Sequence, residues 1–429
     1  MVLDLDFARQ RTAYATHGLH SFAAKFPPQL ARWGIESFTR PGETVLDPMV
    51  GSGTTLVECR LLGRHGLGAD IDPLARLITR VKSTPLSAQI FELAAADLQE
   101  TLIDQIARLD QARAGGRSFA DTFPHIVIPD FPNRDFWFLP EISEELALLR
   151  SLIDRIEPLE IREFFYLVFS ALIITKSTSS VANVRDLAHS RPHFVAPDEK
   201  PNVLKMFKQR LTRLKKGLSE FSARFDPDSS ARIVSEDARC LPIEDESVDL
   251  AFTSPPYVNA IDYPRAHKFS LHWLGDALGT SPDAYRDLGR EYIGTDRVPA
   301  GTCAELSHRP HAVPSLNTCM QRLAEADTRR AGVARRYFDD MGLVLSEIGR
   351  VLRPGRHAVI VVCPSRIAEV EVPTQVLLAD LAEYVTDGQL HAIETHSRII
   401  DDAKRQLPVI RGRFGAGMRT EYVVVLQKA

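Results

Sequence analysis

Val45-Leu46-Asp47-Pro48-Met49-Val50-Gly51-Ser52-Gly53-Thr54-Thr55 runs from an apolar strand through a glycine loop into the start of a helix. A turn at Pro41-Gly42 precedes the strand Thr44 to Leu46. The helix pattern runs from Thr54 to Leu62, Gly63 stops it, and a second strand ends at Asp70. The unit is β-loop-α-β. Glycines behind a strand let a ligand approach the backbone, and the following helix offers unpaired N–H groups. Asp70, seventeen residues beyond Gly53, suits a ribose diol, which needs a fixed double acceptor. The loop lacks a third glycine and any Gly-Lys-Ser/Thr, which argues against the dinucleotide and Walker versions of such a loop.

Outward from this unit, the pattern repeats. Ile233-Val234 leads to Glu236-Asp237, and Val248 to Thr253 is an apolar strand running into Ser254-Pro255-Pro256-Tyr257. A helix follows over Tyr337 to Val351, with apolar residues at helical spacing; Pro354-Gly355 then turns into the strand Ala358 to Val362, and Glu421 to Leu426 is a last strand. Strands alternating with helices predict an α/β fold with a doubly wound, mostly parallel sheet. Two stretches interrupt the rhythm. Residues 82–230 carry helical patterns and read as a largely helical insert, and residues 281–335 are rich in loop residues and read as a second insert. The expected division is therefore 1–81 with the glycine loop, 82–230 as an inserted module, and 231–429 as the rest of the catalytic domain.

The 429 residues, 44% hydrophobic and 25% charged, suffice for a large core. The five cysteines are odd in number and scattered, which argues for a reducing compartment and against a disulfide framework. With no signal-peptide layout and no apolar run of about 18 residues, the cytoplasm is the expected location, with no membrane partner. Net charge is −4, so a polyanion would have to meet a local basic patch. Lys176 to Arg224 supplies one, with eleven Lys or Arg against four Asp or Glu, a local balance of +7.

Thr253-Ser254-Pro255-Pro256-Tyr257 carries the second chemical signal. Two prolines fix the backbone and donate no hydrogen bonds, so the carbonyls near Ser254 and Pro255 stay free to accept from an amino group, while Tyr257 offers a ring face for stacking. Together with the glycine loop, the segment His20 to Pro28, Asp70-Ile71-Asp72-Pro73 and Glu236-Asp237-Ala238-Arg239, these residues resemble the amino-methyltransferase group of DNA methylases, of the Ser-Pro-Pro-Tyr type. The resemblance implies a Rossmann-like S-adenosylmethionine-dependent methyltransferase.

By that resemblance, Lys25, Phe26 and Pro27 close over the methionine part of the cofactor. Asp47, Pro48, Met49, Gly51, Gly53 and Thr54 form its loop, Asp70 and Ile71 hold the ribose, and Asp237 and Ala238 meet the adenine. Ser254, Pro255, Pro256 and Tyr257 are the implied catalytic residues: Ser254 and the Pro255 carbonyl grip the target amino nitrogen, and Tyr257 stacks on a base flipped out of duplex DNA. The reaction implied is direct in-line methyl transfer, without a metal. Ser at the first catalytic position goes mostly with cytosine N4 in this family, so cytosine N4 is the expected target. Adenine N6, an RNA amino group, and a nonenzymatic DNA-binding subunit are the alternatives.

Lys205, Lys208, Arg210, Arg213, Lys215 and Lys216 on one predicted helix are expected to touch DNA phosphates, with Arg411 and Arg413 as a second group, and the 82–230 insert is the expected recognition module. Any restriction activity is expected in a separate endonuclease chain. Cys363-Pro364 reads as packing, and Cys303, His308, His311 and Cys319 lack a usual zinc spacing. Phe136, Trp137 and Phe138 read as core.

Overall fold

The structure, a computed structural model, describes residues 5–7, 10–23, 25–173, 181–183, 201–258, 263–400 and 420–429; Arg411 and Arg413 lie outside them. The chain opens with α1 (Pro28–Phe38), β1 (Thr44–Asp47), α2 (Thr54–Leu61), β2 (His65–Ala69) and α3 (Pro73–Ser83). A helical stretch follows: α4 (Ala88–Ala114), the short α5 (Phe119–Thr122) and α6 (Arg134–Trp137), α7 (Pro140–Ile153), α8 (Leu159–Ile173) and α9 (Val203–Ser222). Then come β3 (Ser230–Ser235), β4 (Val248–Thr253), α10 (Tyr263–Leu274), α11 (Pro282–Glu291), α12 (Ala300–His308), α13 (Pro314–Ala326) and α14 (Thr328–Val351). The chain closes with β5 (Leu352–Val362), the small hairpin β6 (Ser365–Ile367) and β7 (Val370–Val372), α15 (Thr374–Val385), β8 (Leu390–Ile399) and β9 (Thr420–Lys428).

The main sheet has the order β3-β2-β1-β4-β5-β9-β8, parallel from β3 to β5, with β9 antiparallel to both β5 and β8. This is the doubly wound, mostly parallel sheet that the alternation of patterns predicted. Its strands are apolar on both faces because both faces are covered. Val359, Val361, Val423 and Val425 pack with Leu30 and Ile35 of α1, while Ala358, Ile360, Val362 and Val424 pack with α14 and α15, as period-two side chains must. Chain order reverses between β1 and β4, the switch point at which open α/β sheets bind ligands beyond their carboxyl ends.

The helices of residues 88–222 share a third cluster with α3 and α10, centred on Phe164, Phe165 and Phe169. Within it α9 buries Val203, Phe207, Leu211, Leu214 and Leu218 at three- and four-residue spacing, while Phe221 packs against Ala15 and Val57; the Asn202 side chain caps its start by accepting from Lys205 N at 2.7 Å.

Four sequence expectations need correction. Residues 281–335, expected as loop, hold α11, α12, α13 and the start of α14. Helix α14 begins at Thr328, nine residues before the expected Tyr337, because Ala331 and Ala334 continue its buried stripe beneath the arginines and Asp327 caps it through Arg330 N. Pro354-Gly355 lies inside β5 as a bulge, with Val248 opposite Leu352 but Leu250 opposite His357. Trp137 and Phe138 are core, but Phe136 is 49% exposed, edge-on to Trp137. Among the described residues, no helix is long and apolar enough to cross a membrane.

Candidate active site

Asp47 ends β1 and is 1% exposed. Its Oδ2 accepts from Thr55 Oγ1 at 2.6 Å, and its Oδ1 from Thr253 Oγ1 at 2.8 Å and Met49 N at 3.2 Å. One buried carboxylate thus ties the glycine loop, the first turn of α2 and the end of β4 together. Burial pushes its carboxyl up to about 6 against the pull of these donors. Behind the loop, Gly53 has φ +74°, and a β-carbon there would stand 2.8 Å from Thr79 Oγ1, so the crossing of the loop over α3 requires glycine. The buried Lys82 amine donates to Ser52 O at 2.7 Å and completes the fastening.

In front of the loop lies an open cleft. Lys25 and Phe26, then Pro48, Met49, Gly51 and Thr54, then Asp70 and Ile71, and finally Asp237 and Ala238 line it, and Ser254 and Pro256 open onto the same space. Of the expected site residues, Pro27, Asp47, Gly53, Pro255 and Tyr257 do not line it. Asp47 and Gly53 instead fix the loop from behind, and Pro27 is the residue before α1. Tyr257 has its hydroxyl donating to Glu421 Oε1 at 3.0 Å.

The acidic groups differ in their surroundings. Asp70 accepts from Gly51 N at 2.8 Å on one oxygen and from Asp72 N at 2.9 Å on the other, leaving a lone pair on each for a ligand. Burial, with Asp72 nearby, pushes Asp70 up to about 7. Asp237 is partly buried, which alone would raise it, yet Arg239 holds it below the ordinary carboxylate range with Nε at 2.9 Å from Oδ1 and Nη2 at 3.0 Å from Oδ2. Asp72 bonds His267 of α10; burial opposes both charges, but the pairing outweighs it, lowering Asp72 and raising His267.

Several wall residues escaped the sequence reading. Tyr263 and Glu236 line the cleft, as do Glu291, Tyr292 and Ile293 at the end of α11, which come from the insert expected as loop. Gly294, at φ +81°, lies so close that a β-carbon would stand 3.1 Å from Tyr257 O. This segment therefore touches both the cleft and the back of the Ser254–Tyr257 loop. The available signal was Tyr292-Ile293-Gly294, an aromatic-apolar-glycine step in a polar stretch.

The six basic residues of α9 do not form one free face. Lys205, Arg213 and Lys216 are exposed; Lys208, Arg210 and Lys215 are half-buried, and Lys215 Nζ pairs with Glu92 at 2.6 Å. Arg210 lies near enough to His20 to add to the burial that keeps that imidazole neutral.

Residues 5–79, which include the whole glycine loop and Asp70, match the family model for N6/N4 DNA methylases. Over 396 residues, the chain is 26% identical to the type II methyltransferase M.MvaI of Kocuria varians, covering 88% of this chain and 83% of that protein. It is 23% identical to the type II methyltransferase M.BsoBI of Geobacillus stearothermophilus, covering 86% and 77%. A solved SAM-dependent methyltransferase from Methanosarcina mazei is a distant likeness, with 10% identity and a TM-score of 0.31 over 92% of this chain and 96% of that one. The cleft's chemistry fits S-adenosylmethionine: Asp70 and Asp237 are carboxylate acceptors of the kind a diol and an amine need, and Pro48, Met49, Ile71 and Ala238 offer apolar walls.

Proposed function

We infer that this chain, a DNA methylase of the N6/N4 amino-methyltransferase family, methylates the N4 amino group of cytosine in duplex DNA. The observation that carries the reading is that Ser254 and Pro256 open onto the same cleft as Asp70 and Asp237. S-adenosylmethionine, when bound, supplies an electrophilic methyl group on a sulfonium. Asp70 would take the ribose hydroxyls, Asp237 the adenine amine, and Lys25 and Phe26 the methionine end. The Ser254 side chain and the Pro255 carbonyl accept hydrogens from the target amino group, which turns its lone pair toward the methyl carbon. Tyr257 stacks on the base, which must leave the duplex because its amino group is otherwise paired.

Serine at position 254 favours cytosine N4 over adenine N6. The 82–230 helices are the proposed recognition module. Lys205, Lys208, Arg210, Arg213 and Lys216 are the proposed phosphate contacts, Arg411 and Arg413 are further ones, and a separate endonuclease acting on the same site is a proposed partner. The test is incubation with labelled S-adenosylmethionine and mixed-sequence duplex DNA, followed by digestion to nucleosides and mass spectrometry. N4-methylcytosine is expected; N6-methyladenine would move the target base, and label in RNA alone would overturn the DNA reading.

Cofactor affinity should depend on pH through Asp70. Only the ionised carboxylate can accept from both ribose hydroxyls, and in the free protein that ionisation is pushed up to about 7 by burial and Asp72. Of the other groups around it, Asp47, itself pushed up to about 6 by burial, takes its proton at the lower end of the range, Asp72 is held low by His267, Tyr263 is pushed up by burial, and His267 is raised by Asp72 and stays protonated as the pH falls. Binding is therefore full above about pH 7 and weakens as the pH falls, by up to about tenfold per unit. Calorimetric titrations between pH 5.5 and 8.5 should show this slope, and Asp70→Asn should bind weakly and flatten it. An equal slope in Asp70→Asn would assign the titration elsewhere.

A further inference from the structure

We propose that Glu421 is the positioning residue of Tyr257, fixing the ring on which the target base stacks; this rests on the base-transfer reading above. A stacking ring is useful only if its plane is held, and a tyrosine at the end of a coil segment can otherwise turn about both side-chain torsions. Three contacts restrain Tyr257. Its backbone lies against Gly294, its hydroxyl donates to Glu421 Oε1 at 3.0 Å, and the Cys363 side chain meets the same hydroxyl.

Glu421 is itself well placed to be rigid. It is the second residue of β9 and stands directly opposite Arg398 of β8 in the antiparallel register. Arg398 Nε lies 3.3 Å from Glu421 Oε2, and the two side chains are only 6% and 8% exposed. One carboxylate oxygen thus faces the guanidinium while the other receives the phenol. A buried carboxylate beside a guanidinium is a strong acceptor for the tyrosine hydroxyl, and both of its supports are sheet strands rather than loops. The reversed hairpin at the edge of the sheet, which adds nothing to the cofactor cleft, thereby acquires a role in the target half of the site.

The experiment compares Tyr257→Phe, which keeps the ring and deletes the donor, with Glu421→Gln, which keeps an acceptor, Glu421→Ala, which does not, and the double variant Tyr257→Phe/Glu421→Ala. Each is assayed for single-turnover methyl transfer into duplex DNA and for S-adenosylmethionine binding by calorimetry. Tyr257→Phe should lower the transfer rate about tenfold to a hundredfold, the penalty expected for a misaligned reactant, with unchanged cofactor affinity. Glu421→Ala should fall equally, the double variant no further than either single change, and Glu421→Gln should keep most of the wild-type rate. A purely structural Glu421 would instead weaken folding and cofactor binding together and leave Tyr257→Phe at the wild-type rate, which overturns the proposal. Should Glu421→Ala fail to fold, Glu421→Asp, whose shorter side chain withdraws the carboxylate from the hydroxyl, takes its place in the comparison with Tyr257→Phe. A wild-type protein that labels no nucleoside overturns the base-transfer reading and this proposal with it, whereas an active wild type with an equally active Tyr257→Phe overturns only the positioning role.

Discussion

Ser254→Ala is expected to reduce methyl transfer by about a hundredfold to a thousandfold while binding S-adenosylmethionine as the wild type does; the magnitude is that of deleting one preorganised polar contact to a reacting group. Ser254 stands at the first position after β4, on the cleft wall, and Pro256 lies next to it. The end of β4 is held through Thr253 to Asp47, so the residue that follows is presented from a fixed point rather than from a mobile loop. Alanine keeps that backbone, and with it the Pro255 carbonyl, but removes the one side-chain oxygen that can accept from the amino group. Asp70 and Asp237, the proposed cofactor groups, follow β2 and β3 and are untouched. Single-turnover transfer measured beside calorimetric cofactor binding separates the two halves of the site. Loss of cofactor binding in Ser254→Ala, or an undiminished rate, would sink the division of roles.

The two short motifs were legible because each obeys a local rule. A glycine loop between strand and helix, and prolines at the end of an apolar strand, are written in consecutive residues, and the sheet around them followed from the alternation of patterns. What escaped was written across the chain. Asp47 read as a ligand group because of its place in the loop. Its oxygens also accept from Thr55, eight residues on, and from Thr253, 206 residues on, and no spacing rule links those positions. Glu291 to Gly294 were missed for a different reason. Their stretch is polar and arginine-rich, so α11, though amphipathic, carries few apolar residues and does not announce itself as part of a cleft wall. Glu421 was read as the start of a strand, correctly, but the pairing of its side chain with Tyr257 depends on the antiparallel return of β9, which only the assembled sheet reveals.

Basic residues on α9 illustrate the opposite error, of grouping by sequence what the helix separates. Consecutive cations point around the cylinder: Lys215 is drawn to Glu92 and lies over the Phe91 ring, while Lys205 and Lys216 remain in solvent. A phosphate-contacting surface built from α9 therefore has fewer free charges than the count of Lys and Arg suggests, and its contribution to the salt dependence of binding should be correspondingly smaller.

Glu58→Ala should be the most damaging single substitution outside the cleft, costing about 3–5 kcal/mol of stability, the range for breaking a buried charged network by removing one partner. Glu58 sits in α2 at 0% exposure. Tyr14 Oη donates to its Oε1 at 2.6 Å, His17 Nε2 lies 2.7 Å from the same oxygen, and Arg32 Nη2 stands 2.9 Å from Oε2. Burial opposes its charge, but these partners outweigh burial and hold the carboxyl below its ordinary range, so the anion is the form that the fold contains. Three of the four groups belong to the segment before β1, the same segment that carries Phe22, Lys25 and Phe26 into the cleft. Alanine would leave the buried His17 and the half-buried Arg32 facing a cavity, and the segment would lose its attachment to α2. Chemical denaturation should register the loss of stability, and cofactor affinity should fall with it because the wall of the cleft is loosened. A Glu58→Ala protein that unfolds at the wild-type denaturant concentration would mean that the segment is held by its apolar contacts, Phe22 against Gly51 and Phe26 against Phe252, rather than by this carboxylate.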